Sequence, residues 1–128
     1  LDKMKTESGY INVSNAALTA TDLLQFEKRI GGINRAATVI NELSEEIRAE
    51  SFNADLLQHA EVTALQRLGF ILENICDNMD LSDALFNAMK KEELSFLRIP
   101  LKPGKPMKGF SSANRWNVVV NTEIEIDE

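Results

Sequence analysis

The sequence has few of the residues on which binding sites and catalytic sites often depend. Cys76 is the only cysteine, so an internal disulfide is impossible, and its place beside Ile75 favours a small core residue over a nucleophile. His59 is the only histidine, so a metal site built on it would need carboxylates for its other ligands. No apolar run approaches the ~20 residues that a membrane-spanning helix needs. We therefore expect neither a disulfide-stapled domain nor a membrane protein.

The length and the composition predict one domain over residues 1–128. The chain is 44% hydrophobic and 27% charged, which is ordinary for a globular protein. A chain of this size buries roughly two-thirds of its unfolded surface and can form a core without metals. It begins at Leu1, and its first seven residues resemble neither a signal peptide nor a transit sequence. We expect a fragment of a longer cytoplasmic protein.

The first third of the chain predicts an extended segment and then a helix. Apolar and polar residues alternate over residues 10–14, which indicates a short strand. Thr19 and Asp22 are spaced like a T-x-x-D capping box, so the helix is expected to begin there. Gly31 and Gly32 should end it, because glycine accepts the left-handed backbone common just past a helix end. The apolar face of this helix would carry Leu23, Phe26 and Ile30.

Apolar residues at helical spacing predict further helices between residues 33 and 91. The clearest pattern covers residues 33–47, and a short one follows near residue 56. The next helix has an apolar stripe over residues 65–76, with polar residues such as Gln66 expected outside it. The last helix should open at Asp80 or Ser82.

The last third of the chain changes to extended patterns. Residues 96–101 alternate weakly, and the proline- and lysine-rich stretch over residues 100–115 predicts a loop. The sequence WNVVVNTEIEID predicts a half-buried strand about ten residues long. Its buried face would carry Trp116, Val118, Val120, Ile124 and Ile126. The predicted fold is α+β, with four to five helices packed with a small sheet whose main strand is C-terminal.

Charge is distributed unevenly along the chain, whose net charge is −6. Residues 1–89 sum to −7, residues 90–116 to +5 and residues 117–128 to −4. The negative total argues against gripping nucleic acid over the whole surface. Lys102, Lys105 and Lys108 in the loop are candidates for contact with phosphates or with an acidic partner. The alternative is a solvated loop whose lysines keep it soluble or pair with the acidic strand.

A weaker hypothesis is a metal-dependent hydrolase. Glu123, Glu125 and Asp127 would lie on one face of the last strand, where carboxylates can hold a divalent cation. Alternating acids are also typical of an edge strand that resists unwanted pairing, and we favour this explanation. The phosphate-loop, dinucleotide-binding and nucleophile-elbow motifs do not occur. We therefore predict a protein that is not an enzyme and needs no cofactor.

Three motifs together resemble the C-terminal domain of AbiE-type antitoxins, from the abortive-infection (type IV) toxin–antitoxin systems of bacteria. They are EKRIGGINRAATVINELSE at residues 27–45, LQRLGFILE at residues 65–73 and RWNVVVNTEIEID at residues 115–127. The resemblance implies an N-terminal winged helix-turn-helix, missing from this chain, that binds and represses the protein's own promoter DNA. It also implies that this domain neutralises a nucleotidyltransferase toxin, through the toxin itself or its target. An alternative is a regulatory or dimerisation domain with a phosphate-contacting loop.

Most residues of these motifs are expected to be scaffold. Gly31 and Gly32 would turn the chain, Gly69 would let helices approach closely, and Trp116 would fill the core. Asn34 is placed to cap or brace the glycine turn. The polar motif positions are Gln66, Arg67, Arg115, Asn121 and Glu123. We favour buried braces, for instance Arg67 or Arg115 paired with Glu123, over partner contacts.

Overall fold

The computed structural model describes residues 13–126, which form five α-helices and one small sheet. The helices are α1 (Val13–Gln25), α2 (Ile33–Leu43), α3 (Ala54–His59), α4 (Val62–Asn74) and α5 (Met79–Lys91). Two short 3-10 turns, Glu27–Ile30 and Ala49–Ser51, lie between them. The strands are β1 (Ile99–Pro100) and β2 (Val118–Val119). The predicted α+β class is thus confirmed, and no helix of residues 13–126 could cross a membrane.

Helix α4 is the centre of the core. It packs against α1 on one side and α5 on another, and it also contacts α2 and β2. Such a helix must be apolar around most of its surface, since little of it faces water. Its fully buried side chains include Leu65, Leu68, Ile71 and Leu72. The apolar stripe predicted over residues 65–76 is therefore present as far as Leu72, whereas Ile75 and Cys76 follow the end of α4 and are half-buried.

Helix α1 begins earlier than the capping box predicted. Val13 and Ser14 belong to the helix instead of a strand, whereas residues 10–12 lie outside the described residues. Thr19 is consequently a mid-helix residue. The buried small residues Ala16, Ala17 and Ala20 explain this start, because alanine favours helix and its small side chain permits close packing.

The first α-helix ends at Gln25, six residues before the glycine that was predicted to end it, and its last predicted apolar residues do not all pack. After Gln25 the chain tightens into the first 3-10 turn, and Gly31 ends that turn in the left-handed region at φ 106°. Phe26 lies between the two elements and is 47% exposed, contrary to its predicted place on a buried face. Helix α2 then begins at Ile33, directly after Gly32.

The predicted ten-residue strand is wrong, since β2 has only two residues. It pairs in parallel with β1, with Ile99 opposite Val118 and Pro100 opposite Val119. Asn117 has a left-handed φ of 58°, which breaks the extended backbone before β2. A hydrogen bond from Asn121 N to Val119 O at 2.9 Å closes a tight turn after it.

This turn also changes which side chains are buried. Val120 is 39% exposed, although it was predicted to face the core. Val119 and Asn121 are buried instead, although alternation with Val118 and Val120 would place both on the opposite face. For Asn121, burial agrees with the brace expected from its motif. A period-two pattern holds only while the backbone stays extended, and at this turn it does not. Beyond the turn, Ile124 and Ile126 pack against the core as predicted.

Candidate functional site

The lysine-rich loop of residues 101–115, here called the basic loop, is held in place by one buried side chain. Asn121 is 2% exposed, and its Oδ1 accepts from Lys102 N at 2.9 Å. Its Nδ2 donates to Lys102 O at 3.1 Å and Lys105 O at 3.2 Å. Val120 N also donates to Ser111 O at 3.0 Å. The basic loop therefore has a fixed backbone although it contains no helix or strand.

The three candidate lysines of the basic loop have different roles in the structure. Lys102 is half-buried, and its Nζ lies 3.5 Å from Oε2 of the buried Glu27. Lys105 and Lys108 are exposed. Of the three lysines, only Lys105 and Lys108 are therefore exposed cations without an ion-pair partner among the described residues.

Arg115 is a brace, but its partners are not the predicted one. Its Nη2 lies 2.7 Å from Asp83 Oδ1 and 2.8 Å from Glu73 Oε1. Nη2 also donates to Ser82 Oγ at 2.7 Å. The expected partner Glu123 is exposed, because the chain leaves the strand direction after Val119. Nothing in the local sequence marked Glu73 or Asp83 as partners of a residue more than 30 positions away.

Glu73 is the central acceptor of a polar cluster that also contains Ser82, Asp83, Arg115 and Trp116. Its Oε1 accepts from Ser82 Oγ at 2.7 Å, from Trp116 Nε1 at 3.1 Å and from Arg115 Nε at 2.8 Å. Partial burial acts to raise the pKa of Glu73, but the hydrogen bonds from Ser82, Trp116 and Arg115 hold that pKa below its ordinary value. The cluster therefore favours the charged carboxylate and joins α4, α5 and the end of the basic loop.

Trp116 fills the core as predicted, and it explains Gly69. The indole is fully buried and stacks on Phe96, with ring centroids 6.1 Å apart. A Cβ added at Gly69 would lie 2.2 Å from Cη2 of the indole. Gly69 therefore makes room for this ring, and not for a second helix as predicted.

Gln66 is fully buried, although its pattern placed it outside the apolar stripe. Its Nε2 donates to Leu97 O and to Trp116 O, both at 2.7 Å. The two acceptors lie 31 and 50 residues along the chain. Gln66 thus ties α4 to the irregular segments that precede β1 and β2, which makes it a brace as expected.

Arg67 lines a cleft of about 230 Å³, here called the Arg67 cleft, between the first 3-10 turn and α4. Its Nε donates to Pro100 O at 2.8 Å, so its bonded partner is a backbone carbonyl and not Glu123. Burial lowers the pKa of Arg67, while the nearby charges of Glu27 and Glu61 act to raise it. Other residues that line this cleft are Phe26, Lys28, Arg29 and Pro103.

The acidic C-terminal residues do not form the predicted strand face. Glu123 and Glu125 are exposed, and Asp127 lies outside the described residues. Within residues 13–126 no group of three or more His, Cys, Asp or Glu residues could hold a metal ion. Asn34 Oδ1 accepts from Glu125 N at 3.1 Å, so Asn34 braces this C-terminal segment; the start of α2 has no side-chain cap.

The thiol of Cys76 is not set up as a nucleophile. It is half-buried just after α4, and burial raises its pKa to about 11. His59 ends α3, where its Nδ1 contacts Asp55 O at 2.7 Å. Neither residue has the partner that a Cys–His catalytic pair requires among the contacts of the described chain.

The chain matches no family model, and no curated protein or solved structure is detectably similar to it. Its function must therefore be inferred from the three sequence motifs and from the contacts that their residues make.

Proposed function

We propose that this chain is the antitoxin domain of a bacterial abortive-infection toxin–antitoxin system. In this proposal it neutralises a nucleotidyltransferase toxin in the cytoplasm, and the longer protein represses its own promoter through a winged helix-turn-helix. The domain acts through its surface, and no residue is assigned a catalytic role.

The observation that supports this proposal is that the three motifs of the resemblance meet in space. Gly69 and Gln66 of the second motif hold the ring and the backbone carbonyl of Trp116 in the third. Asn34 of the first motif binds the backbone of Glu125 in the third. Motifs that identify a shared domain are expected to interlock in this way, because scaffold residues of one fold must contact one another.

Co-expression with the neighbouring toxin gene tests the proposal. The full-length protein should restore growth to cells that express the toxin, and residues 1–128 alone should retain antitoxin activity. The toxin gene and the antitoxin gene should both be driven by foreign promoters, so that repression of the native promoter cannot affect the result. Growth restored by the domain without the winged helix-turn-helix would then report neutralisation alone. Continued growth arrest in the presence of the full-length protein would refute the proposal.

A second candidate function is contact with promoter phosphates, and the fixed basic loop favours it. Lys105 and Lys108 are exposed on a backbone that Asn121 holds in place. Lys102 is left out of this set because it pairs with Glu27. In this hypothesis the loop adds affinity to the DNA-binding half without reading sequence.

The salt dependence of promoter-DNA affinity tests this second function. Substituting Lys105→Ala and Lys108→Ala together in the full-length protein should reduce the slope of log K against log salt by about 2, since each lost phosphate contact removes roughly 0.9. Arg48→Ala with Lys91→Ala is the matched control, because both residues are exposed and outside the basic loop. An unchanged slope in the Lys105/Lys108 variant would exclude the phosphate contact.

A further inference from the structure

The Arg67 cleft contains an arginine whose orientation is fixed but whose terminal nitrogens are unused. The Nε–H of Arg67 is committed to Pro100 O at 2.8 Å. Glu27 and Glu61 act on it through space, yet neither forms an ion pair with it. Within the described chain, its Nη1 and Nη2 groups have no hydrogen-bond partner. A guanidinium held by one nitrogen presents the other two as a preorganised fork for a carboxylate or a phosphate.

The surroundings of this fork attract a negative charge. Lys28 and Arg29 also line the cleft and are exposed, while the buried Glu27 is offset by Lys102 at 3.5 Å. Glu61 is the remaining acid on the cleft wall. The cleft is thus locally basic on a chain whose net charge is −6.

One wall of the cleft is apolar. The ring of Phe26 is 47% exposed, with the guanidinium of Arg29 5.3 Å from the ring centroid. Pro103 of the basic loop also lines the cleft. Aromatic residues and arginine are enriched where proteins meet, so an exposed ring beside Arg29 suits a surface that receives a side chain from a partner protein.

We propose that the Arg67 cleft binds a carboxylate side chain of a partner protein, with an apolar neighbour of that side chain packed on Phe26. The size of the cleft favours a peptide side chain over a nucleotide. Sites for drug-sized ligands are roughly 300–1,000 Å³, and this cleft, at about 230 Å³, is smaller. The inference does not rest on the antitoxin role, because it concerns only what the cleft binds.

A pair of capped peptides tests the cleft on the unaltered 128-residue chain. Titrating acetyl-Leu-Glu-Leu-amide should shift the NMR signals of Arg67 Nε–H and of the backbone amides of residues 26–29. Acetyl-Leu-Gln-Leu-amide, which has nearly the same shape but no charge, should bind about tenfold more weakly. Equal binding of the two peptides, or shifts that lie elsewhere, would overturn the proposal.

Variants and a phosphate titration complete the test. Arg67→Gln should abolish the preference for the Glu peptide, and Arg67→Lys should reduce it, since lysine lacks the fork. Lys91→Gln is the matched control: Lys91 lines another cleft, of about 270 Å³, and the variant should leave the preference unchanged. Should inorganic phosphate shift the same signals at lower concentration than the Glu peptide, the site is a phosphate site and the proposal is wrong.

Discussion

Substitution of Gly69 tests the central packing contact of the domain, because two physical effects predict opposite signs. Gly69 lies inside α4, where replacement of glycine by alanine normally stabilises a helix by about 1 kcal/mol. In this structure the new Cβ would lie 2.2 Å from both Cη2 and Cζ3 of Trp116. Real Cβ atoms do not approach other atoms so closely, so the indole or the helix must move.

The indole has little freedom to move. Its Nε1 donates to Glu73 at 3.1 Å, and its backbone carbonyl accepts from Gln66 at 2.7 Å. Its ring is stacked on Phe96 and meets Phe86 edge-on, with centroids 5.4 Å apart. Overpacking a filled core costs about 1–3 kcal/mol, and these restraints place the cost near the upper end. After the gain in helix propensity, Gly69→Ala should lower the free energy of unfolding by about 2 kcal/mol.

Urea denaturation followed by circular dichroism measures this change, and a loss of about 2 kcal/mol corresponds to a fall in Tm of roughly 8 °C for a domain of this size. A double-mutant cycle identifies the cause. In a Trp116→Phe background, which removes the outer ring atoms, Gly69→Ala should cost less or become stabilising. If Gly69→Ala stabilises the unaltered domain, the close contact with Trp116 is refuted.

Two polar side chains and one half-buried thiol provide further tests. Asn121→Ala should destabilise the domain by about 2–3 kcal/mol and speed hydrogen exchange at the Lys102 amide. Asn74 is exposed, so Asn74→Ala should change the free energy of unfolding by less than about 0.5 kcal/mol. Equal losses in the two variants would contradict the role of Asn121. Hydrogen bonds hold the pKa of Glu73 low, so the charged carboxylate stabilises the fold above pH ~4.3 and this stabilisation is lost as the pH falls. The loss of unfolding free energy in Glu73→Gln, measured by urea denaturation, should therefore shrink between pH 7 and pH 3. A loss that stays constant with pH would contradict this. Since the pKa of Cys76 is about 11, its reaction with a disulfide reagent at pH 8 should be roughly a hundredfold slower in the folded chain than in urea, and equal rates would be inconsistent with its burial.

The helices could be predicted because their signal is local. The apolar residues that recur over residues 33–47 and 65–76 do so within a few turns, and burial of that face decides the helix. The patterns overshoot the helix ends, since α2 ends at Leu43 and α4 at Asn74. The start of α1 was misplaced because Thr19 and Asp22 fit a capping box by spacing alone. Only the packing of the upstream alanines shows that the helix has already begun.

The C-terminal segment was harder to predict because its conformation depends on distant partners. Alternation over residues 116–126 is real, but the left-handed Asn117 and the turn at Val120 interrupt it. Gln66 was expected outside the apolar stripe, and its bonding partners could not be predicted because a glutamine carries no sign of carbonyl acceptors 31 and 50 residues away. The partners of Arg115 were missed for the same reason, since ion pairs between distant residues leave no pattern in the sequence.

The polar motif residues also explain how a region with so little sheet is held together. Buried backbone groups must be paired, and two strands of two residues pair only a few of them. Side chains pair with several of the remaining backbone groups. Gln66 donates to two carbonyls and Arg67 donates to Pro100 O. Asn114 and Asn121 bond to backbone groups around β2 and the basic loop. Loss of such a side chain leaves the buried group it bonded unpaired, which costs more than the bond itself contributes.

The buried bracing side chains and the exposed basic side chains should respond differently to substitution. Substitutions at Gln66 or Asn121 should reduce function by destabilising the fold, and the loss should track the fall in the free energy of unfolding. Substitutions at the exposed Lys105, Lys108 or Arg29 remove charge without removing a brace, so stability should change little. Loss of function at these positions in a fully folded variant would therefore identify a partner surface, whereas loss at Gln66 or Asn121 would not.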